Sequence, residues 1–308
     1  MGSSPSAATK QGRETRPRDA GRKAVDLPPG TRLVRLVEFT EVLFFIALLG
    51  ATGVIAGLTA GLFGVGGGFI VVPALLAVFP FLTDVTDDLS KVAIGTSLAT
   101  IIVSSARSVH AHSKRGAVDF ELLKDWAAWV VFGVLIGIAI ASVVDGKRLI
   151  VVFAAGVLVY SVYFLFPHMF DRFKGRWSLP TGPGKAVLAS GLGGFSTLLG
   201  IGGGTPMVLT MVLCDRPIHQ AVATASGVGF LIGVPGMIGF LIMGLGAENL
   251  PAGSIGYVNI PALAAIAAVS IFTAPIGARW AHSLDGDKLK QIFGIYLVVV
   301  SVSMFIKS

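Results

Sequence analysis

The sequence predicts an all-α polytopic membrane protein made of two inverted repeats of about five membrane segments each, and three observations predict it. Hydrophobic residues make up 54% of the 308 residues and charged residues 13%, with a mean hydropathy of +0.81, whereas soluble domains carry about 25% charged residues. Apolar runs separated by short polar breaks begin near Thr40 and continue to Ile306, and several reach the roughly 20 residues needed to cross hydrocarbon. The segment Gly64-Val65-Gly66-Gly67-Gly68 returns as Gly200-Ile201-Gly202-Gly203-Gly204, each copy inside an otherwise apolar stretch.

Residues 1–38 read as a tail of disordered composition, with Arg13, Arg16, Arg18, Arg22, Lys23, Arg32 and Arg35 among Ser, Pro and Gly. Much of the net charge of +7 comes from it. No aromatic residue interleaves these cations, so the tail suits an anionic membrane surface and not nucleic acid. No short apolar core with a small-residue cleavage site precedes the first span, which is expected to direct insertion into the cytoplasmic membrane itself. The lone Cys214 excludes an intramolecular disulfide and any cysteine-rich metal cluster.

The first repeat, 39–166, holds apolar segments near 40–63, 68–82, 92–107, 124–144 and 148–166. An inter-repeat loop, 167–183, leads to the second repeat, 184–308, with segments near 184–200, 204–214, 220–245, 258–280 and 288–306. The second segment of each group is too short to cross comfortably, so each glycine motif either joins a tight helix pair or forms a re-entrant hairpin. The halves match in order. Gly57 and Gly64 recur as Gly193 and Gly200 at one common offset of 136 residues. Val92-Ala93-Ile94-Gly95-Thr96-Ser97 faces Val222-Ala223-Thr224-Ala225-Ser226-Gly227. Gly137 pairs with Gly277, and Asp145-Gly146-Lys147-Arg148-Leu149 with Asp285-Gly286-Asp287-Lys288-Leu289. A five-segment unit with an odd number of crossings reverses its neighbour, as in many transporters. For orientation, Lys114, Arg115, Arg172, Lys174, Arg176, Arg216, Lys288 and Lys290 favour one face and an external N-terminus, while Lys91, Lys147, Arg148 and the tail favour the reverse; the internal loops are given the greater weight.

Gly53, Gly57 and Gly61, and the pairs Gly133/Gly137 and Gly229/Gly233, have the four-residue spacing that lets helices approach closely in lipid. The GxGGG segments differ. Three successive glycines each cost about 1 kcal/mol relative to alanine in a helix, yet they expose several N–H groups at once. A broken helix whose half-helix N-terminus meets an anion is the usual reason in secondary transporters. Gly66, Gly67 and Gly68, with Gly202, Gly203 and Gly204, are therefore the candidate substrate-binding backbone, and Pro206 suits the first turn of the helix that follows. Thr96, Ser97 and Ser226 are expected to open helices at matched positions. Thr205, Ser196 and Thr197 flank the second glycine run, and all six hydroxyls could donate to the same pocket or serve as ordinary caps and back-bonds. Two helix ends contribute about 0.3–1 kcal/mol each toward an anion, a moderate affinity that permits release.

Arg107 and Arg279 are placed at helix ends, Lys91 just before a helix, and His110 and His112 in a loop, as interfacial anchors and not as coupling groups. His168, His219 and His282 are scattered near loops, so nothing has metal-ligand spacing, and no carboxylate lies deep in a span. A Walker lysine and a GxSxG elbow are both missing. Enzyme chemistry and a cofactor are not expected.

The run Gly57-Leu58-Thr59-Ala60-Gly61-Leu62-Phe63-Gly64-Val65-Gly66-Gly67-Gly68-Phe69-Ile70-Val71-Val72-Pro73, the second glycine segment and Ala93-Ile94-Gly95-Thr96-Ser97 resemble the TauE/SafE family of sulfite and organosulfonate transporters over residues 40–306. That resemblance implies movement of a small sulfur-containing anion, such as sulfite, thiosulfate or a sulfonate, across the cytoplasmic membrane. It joins the reading of the residues in one expectation: alternating access around a central anion site, with proton coupling as a way to work against the membrane potential. A passive small-anion channel, a transporter of another small anion and a non-transporting scaffold are the alternatives.

Overall fold

Ten helices of ten residues or more follow one another among the described residues: α1 (Pro29–Phe63), α2 (Gly68–Val78), α3 (Leu89–Ser113), α4 (Phe120–Val143), α5 (Gly146–Leu165), α6 (Gly182–Leu198), α7 (Gly204–Leu213), α8 (Ile218–Met243), α9 (Ile260–Trp280) and α10 (Gly286–Lys307). In this computed structural model the backbone is described for residues 29–81, 88–166, 169, 175, 177–281 and 286–307, and side chains for these except 29–42, 286–290 and 307. The chain divides into Met1–Leu43, of which the helical backbone from residue 29 is described, and Phe44–Ser308, which holds everything below.

Every apolar segment read from the sequence is a helix, and six of them, α1 over Leu43–Phe63 with α3, α4, α5, α8 and α9, are long and apolar enough to cross a membrane. Three of these helices, α4, α5 and α9, start at side chains that accept otherwise unpaired N–H groups of the first turn. Asp119 Oδ1 takes Leu122 N–H at 2.9 Å, Asp145 Oδ1 takes Arg148 N–H at 2.8 Å and Asn259 Oδ1 takes Ala262 N–H at 3.0 Å. Phe132, Leu135, Val143, Phe272, Val299 and Ile306 stand exposed on the outer surface, an apolar belt that lipid covers.

Several local expectations need correction. α1 begins at Pro29 and not near Thr40, so the last part of the basic tail is helical backbone, with proline in the first turn where its missing N–H costs nothing; residues 1–28 lie outside the described residues. α3 begins at Leu89 and α8 at Ile218, so Thr96, Ser97 and Ser226 lie two turns inside their helices and do not open them. Lys91 is likewise in the first turn of α3, paired with Asp88 at 3.1 Å. α3 also runs on through Arg107, His110 and His112 to Ser113. His112 is buried, with Nε2 3.3 Å from Gly61 O. A hydropathy break marks where side chains turn polar, not where the backbone stops being helical. Arg172, Lys174, Arg176, His168, His282 and Asp285 lie outside the described residues, as do the side chains of Asp287, Lys288, Leu289 and Lys290.

The two groups of five helices pack by corresponding pairs. α1 and α9 run side by side in one direction: Gly53 lies on Ile266, Gly57 on Ser270 and Gly61 on Ala274. α6 and α4 do the same, Gly133 on Ser190 and Gly137 on Gly194. α3 and α8 cross at the centre in opposite directions, Ser108 meeting Ser226 and Gly95 meeting Phe240. Each of these central helices is flanked by a parallel neighbour, α9 for α3 and α4 for α8. α5 and α10 run antiparallel, with Ser301 Oγ donating to Ala154 O at 2.8 Å and Gly294 against Leu165.

A two-residue hairpin, β1 (Ser254–Ile255) and β2 (Val258–Asn259), joins α8 to α9 and was not legible as strand in the sequence. It is tied to α3 twice: Asn259 N–H donates to Thr96 Oγ1 at 2.8 Å, and Tyr257 OH donates to Asp88 Oδ2 at 2.8 Å. Burial, reinforced by the Asp88 carboxylate, pushes the Tyr257 phenol up to about 12, so it stays a neutral donor. Hydrogen bonds to charged groups contribute about 1.5–3 kcal/mol. Tyr257→Phe should therefore lower the unfolding midpoint in detergent by a few degrees, whereas an unchanged midpoint would show the bond to be idle.

Candidate functional site

The two glycine segments meet each other. α1 ends at Phe63 and α2 begins at Gly68; α6 ends at Leu198 and α7 begins at Gly204. Gly64 and Gly200, at matched places, have φ of 67° and 60°, and the N-caps Gly67 and Gly203 have φ of 83° and 66°. This left-handed region costs an L-residue about 1–2 kcal/mol, which is why glycine occupies both caps. The contact between the segments is reciprocal. A Cβ on Gly68 would overlap Gly200 O, and a Cβ on Gly204 would overlap Gly64 O. Each helix start therefore presses on the other segment's first glycine.

α3 serves as a ruler for the path of the chain. Going forward in sequence, Ala60 O receives Ser108 Oγ at 3.4 Å, Gly66 O receives Ser104 Oγ at 3.0 Å, and Gly68 lies beside Ile101. The chain thus climbs α1 toward the C-terminal end of α3, reverses at residues 64–67 and descends in α2. On the other side Gly200 lies at Ile94, its carbonyl accepting Ser97 Oγ at 2.8 Å, and Gly202 lies at Ile101. Gly66 and Gly202 both abut Ile101 Cγ2, each with a Cβ position 3.0 Å from it. α2 and α7 consequently start near one level, mid-length along α3, after reversals made from opposite ends.

Backbone donors remain open at both helix starts. Ile70 and Val71 N–H donate to Gly67 O and Met207 N–H donates to Gly203 O, which among the described residues leaves the N–H groups of Gly68, Phe69, Gly204 and Thr205 unpaired. Neither cap has a side chain to satisfy them. Of the four buried hydroxyls without partners among the described residues, three lie beside these segments, Ser105 Oγ, Ser196 Oγ and Thr205 Oγ1, and the fourth, Ser90 Oγ, lies at the start of α3. A Cβ on Gly66 would come within 3.4 Å of Ser105 Oγ, and a Cβ on Gly203 within 3.3 Å of Ser196 Oγ. Buried polar groups are normally paired, and leaving one unpaired costs about 1–3 kcal/mol. Unpaired donors gathered where two helix N-termini converge make an electropositive centre without a formal charge.

The structure gathers Gly66, Gly67, Gly68, Gly202, Gly203, Gly204, Thr205 and Ser97. Thr96 and Ser226 are turned elsewhere: Thr96 to the hairpin, Ser226 to Ser108 Oγ at 2.9 Å and Val222 O at 3.1 Å. Thr197 bonds Gly193 O inside its own helix. Ser104 and Ser105 were not singled out from the sequence. Ser104 had a signal in the hydroxyl stripe Ser97, Thr100, Ser104, Ser108 along one face of α3, whereas Ser105, one position off that stripe, had none. Among the described residues no group of His, Cys, Asp or Glu could hold a metal ion.

Residues 49–304 match the family model described as Sulfite exporter TauE/SafE. The chain is 31% identical over 268 residues to a probable membrane transporter protein of Haemophilus influenzae, covering 85% of this chain and 99% of that one. It is 27% identical over 276 residues to a probable membrane transporter protein of Methanocaldococcus jannaschii, covering 89% and 100%. A probable membrane transporter protein of Bacillus subtilis is 26% identical over 281 residues, 83% of this chain and 96% of its own. No solved structure matches the chain.

Proposed function

This chain belongs to the sulfite exporter TauE/SafE family, whose members are membrane transporters and not enzymes, and from that premise we propose that it carries a small sulfur-containing anion through the centre where the two glycine segments meet. It is a multi-pass membrane protein, and the cytoplasmic membrane is the usual location for the family. The anion is sulfite, thiosulfate or an organosulfonate. It is held by the open N–H groups at Gly68, Phe69, Gly204 and Thr205, with Ser105, Ser196 and Thr205 hydroxyls around it. The observation that carries this reading is the reciprocal contact of Gly68 with Gly200 O and of Gly204 with Gly64 O, because it puts two half-helix N-termini at one point. Neutral donors hold an anion moderately, so that it can leave again.

The corresponding helix pairs, the reversals from opposite ends and the common glycine offset support two inverted repeats, 39–166 and 184–308, that rock about the fixed site to expose it alternately. Residues Gly64–Phe69 and Gly200–Val208 are all buried, which suits an occluded stage of such a cycle.

The test is uptake of labelled sulfite, thiosulfate and sulfoacetate by liposomes holding the purified protein, beside sulfate and chloride. Saturable uptake selective for one sulfur anion is expected; conductance without saturation would make the protein a channel, and no sulfur-anion flux would remove the substrate class. Proton coupling adds a second expectation. An imposed pH gradient should change the initial rate several-fold, and indifference to it would reject coupling.

A further inference from the structure

A second cluster of charge lies outside the central site, at the end of the bundle where α3 and α9 finish. Arg107, His110, Lys114, Arg115 and Arg279 line a pocket of about 320 Å3 with Pro275. Among the described residues no carboxylate pairs with any of these cations, and none lines the pocket. Three of the guanidinium groups are fixed by backbone carbonyls: Arg107 Nε donates to Ile271 O at 3.3 Å, Arg115 Nη1 to Ala278 O at 3.1 Å and Arg279 Nε to Pro275 O at 3.4 Å. Each keeps further N–H groups for a ligand. Among the described residues no counter-charge accompanies these four cations, so an anion there would be stabilised by all of them.

The neighbouring surface is apolar. On the other side of His110, which both share, a groove of about 460 Å3 lies between α3, α4 and α8, lined by Val109, Phe120, Leu123, Phe230 and Leu231, with Lys124 at its edge. It too is lined by no carboxylate. The basic pocket borders the lipid belt, since Phe272, directly after the carbonyl that holds Arg107, is 71% exposed and Trp280, directly after Arg279, is 45% exposed. Tryptophan, as at Trp280, is enriched at the level of lipid headgroups.

We propose that this pair of cavities binds one anionic phospholipid, its phosphate among Arg107, Lys114, Arg115 and Arg279 and an acyl chain in the groove beyond His110. Two features favour lipid over a soluble oxyanion. The cations lie next to lipid-facing side chains, and the neighbouring groove, which shares His110 with the pocket, has the apolar lining that a hydrocarbon tail needs. Basic pockets between transmembrane helices bind anionic headgroups on the cytoplasmic side, which is the side the internal loops assign to Lys114 and Arg115.

Native mass spectrometry of the purified full chain, offered equal amounts of phosphatidylglycerol and phosphatidylcholine, tests this. Wild type should retain phosphatidylglycerol at least tenfold better. Arg107→Gln with Arg279→Gln should abolish the preference. Lys114→Glu, at an exposed site whose side chain holds nothing in place, should reduce it several-fold with an unchanged thermal midpoint, which keeps the test valid if the double variant misfolds. Leu231→Trp should weaken lipid retention by filling the groove. Millimolar sulfite or inorganic phosphate should not displace the lipid. Equal retention of both lipids, retention unchanged in Lys114→Glu, or displacement by the free anions would overturn the proposal, the last by assigning the pocket to a soluble anion.

Discussion

Alanine at Gly204 is expected to eliminate folded protein. Its Cβ would overlap Gly64 O and come within 2.6 Å of Val65 Cα, both backbone atoms of the segment that α3 holds through Ser104 and Gly66 O. Neither side can give way without moving a helix start, so the cost should exceed about 4 kcal/mol, a value reached only by a short set of severe mechanisms. Gly68→Ala should behave alike, since it meets Gly200 O and lies 2.8 Å from Ile201 Cα. The measurement is the yield of monodisperse protein after detergent extraction. Gly191→Ala is the control: it lies in α6 with nothing within 4 Å of the added carbon, and alanine there should be neutral or stabilising by up to about 1 kcal/mol. Full yield and an unchanged thermal midpoint for Gly204→Ala would mean that the two segments do not touch as described. The same argument limits what bulky substitutions at Gly67 or Gly203 can report, because their left-handed φ and close neighbours make them structural as well as functional.

Removing the unpaired hydroxyls separates the two roles. Ser105→Ala, Ser196→Ala and Thr205→Val delete no hydrogen bond that the folded protein makes, so each should leave stability unchanged or raise it by relieving part of the about 1–3 kcal/mol cost of a buried unpaired group. If these hydroxyls hold the anion, each loses a hydrogen bond to a charged ligand, about 1.5–3 kcal/mol, or roughly tenfold or more in KM. The triple variant should thus be at least as stable as wild type and carry sulfur-anion flux reduced by two orders of magnitude or more at low substrate. Ser97→Ala gives the contrast, because its hydroxyl holds Gly200 O and its loss should reduce stability first. Stable triple variants with unaltered flux would remove the central site from the transport path.

The sequence made most of the architecture legible because hydrocarbon leaves so few choices. A backbone in lipid must satisfy its own hydrogen bonds, so apolar runs of sufficient length become helices, and the ten segments read from hydropathy are the ten helices found. Boundaries were less legible. Polar residues such as Ser90, Lys91, His110 and His112 belong to α3 although they end its apolar run, and the hairpin at Ser254–Asn259 is too short for any periodicity to register.

The candidate site divides in the same way. The paired glycine runs marked it from sequence, since consecutive glycines in lipid demand a reason other than packing. Which hydroxyls face it could not be read. Thr96 and Ser97 are adjacent in sequence, yet successive helix positions differ by about 100°. Ser97 therefore meets Gly200 O, while Thr96 meets the Asn259 N–H. Ser105 and Ser196 are ordinary small residues in a helix until the crossing of α3 with both reversals leaves their oxygens without partners. Composition and hydropathy determined, by themselves, that this chain enters a membrane, how many long helices its described residues make and where two of them break, because these are properties of single segments against their solvent. Only the tertiary structure decided that the two breaks touch, that their reversals come from opposite ends, and which donors are left unpaired between them, because these depend on contacts between residues more than a hundred positions apart.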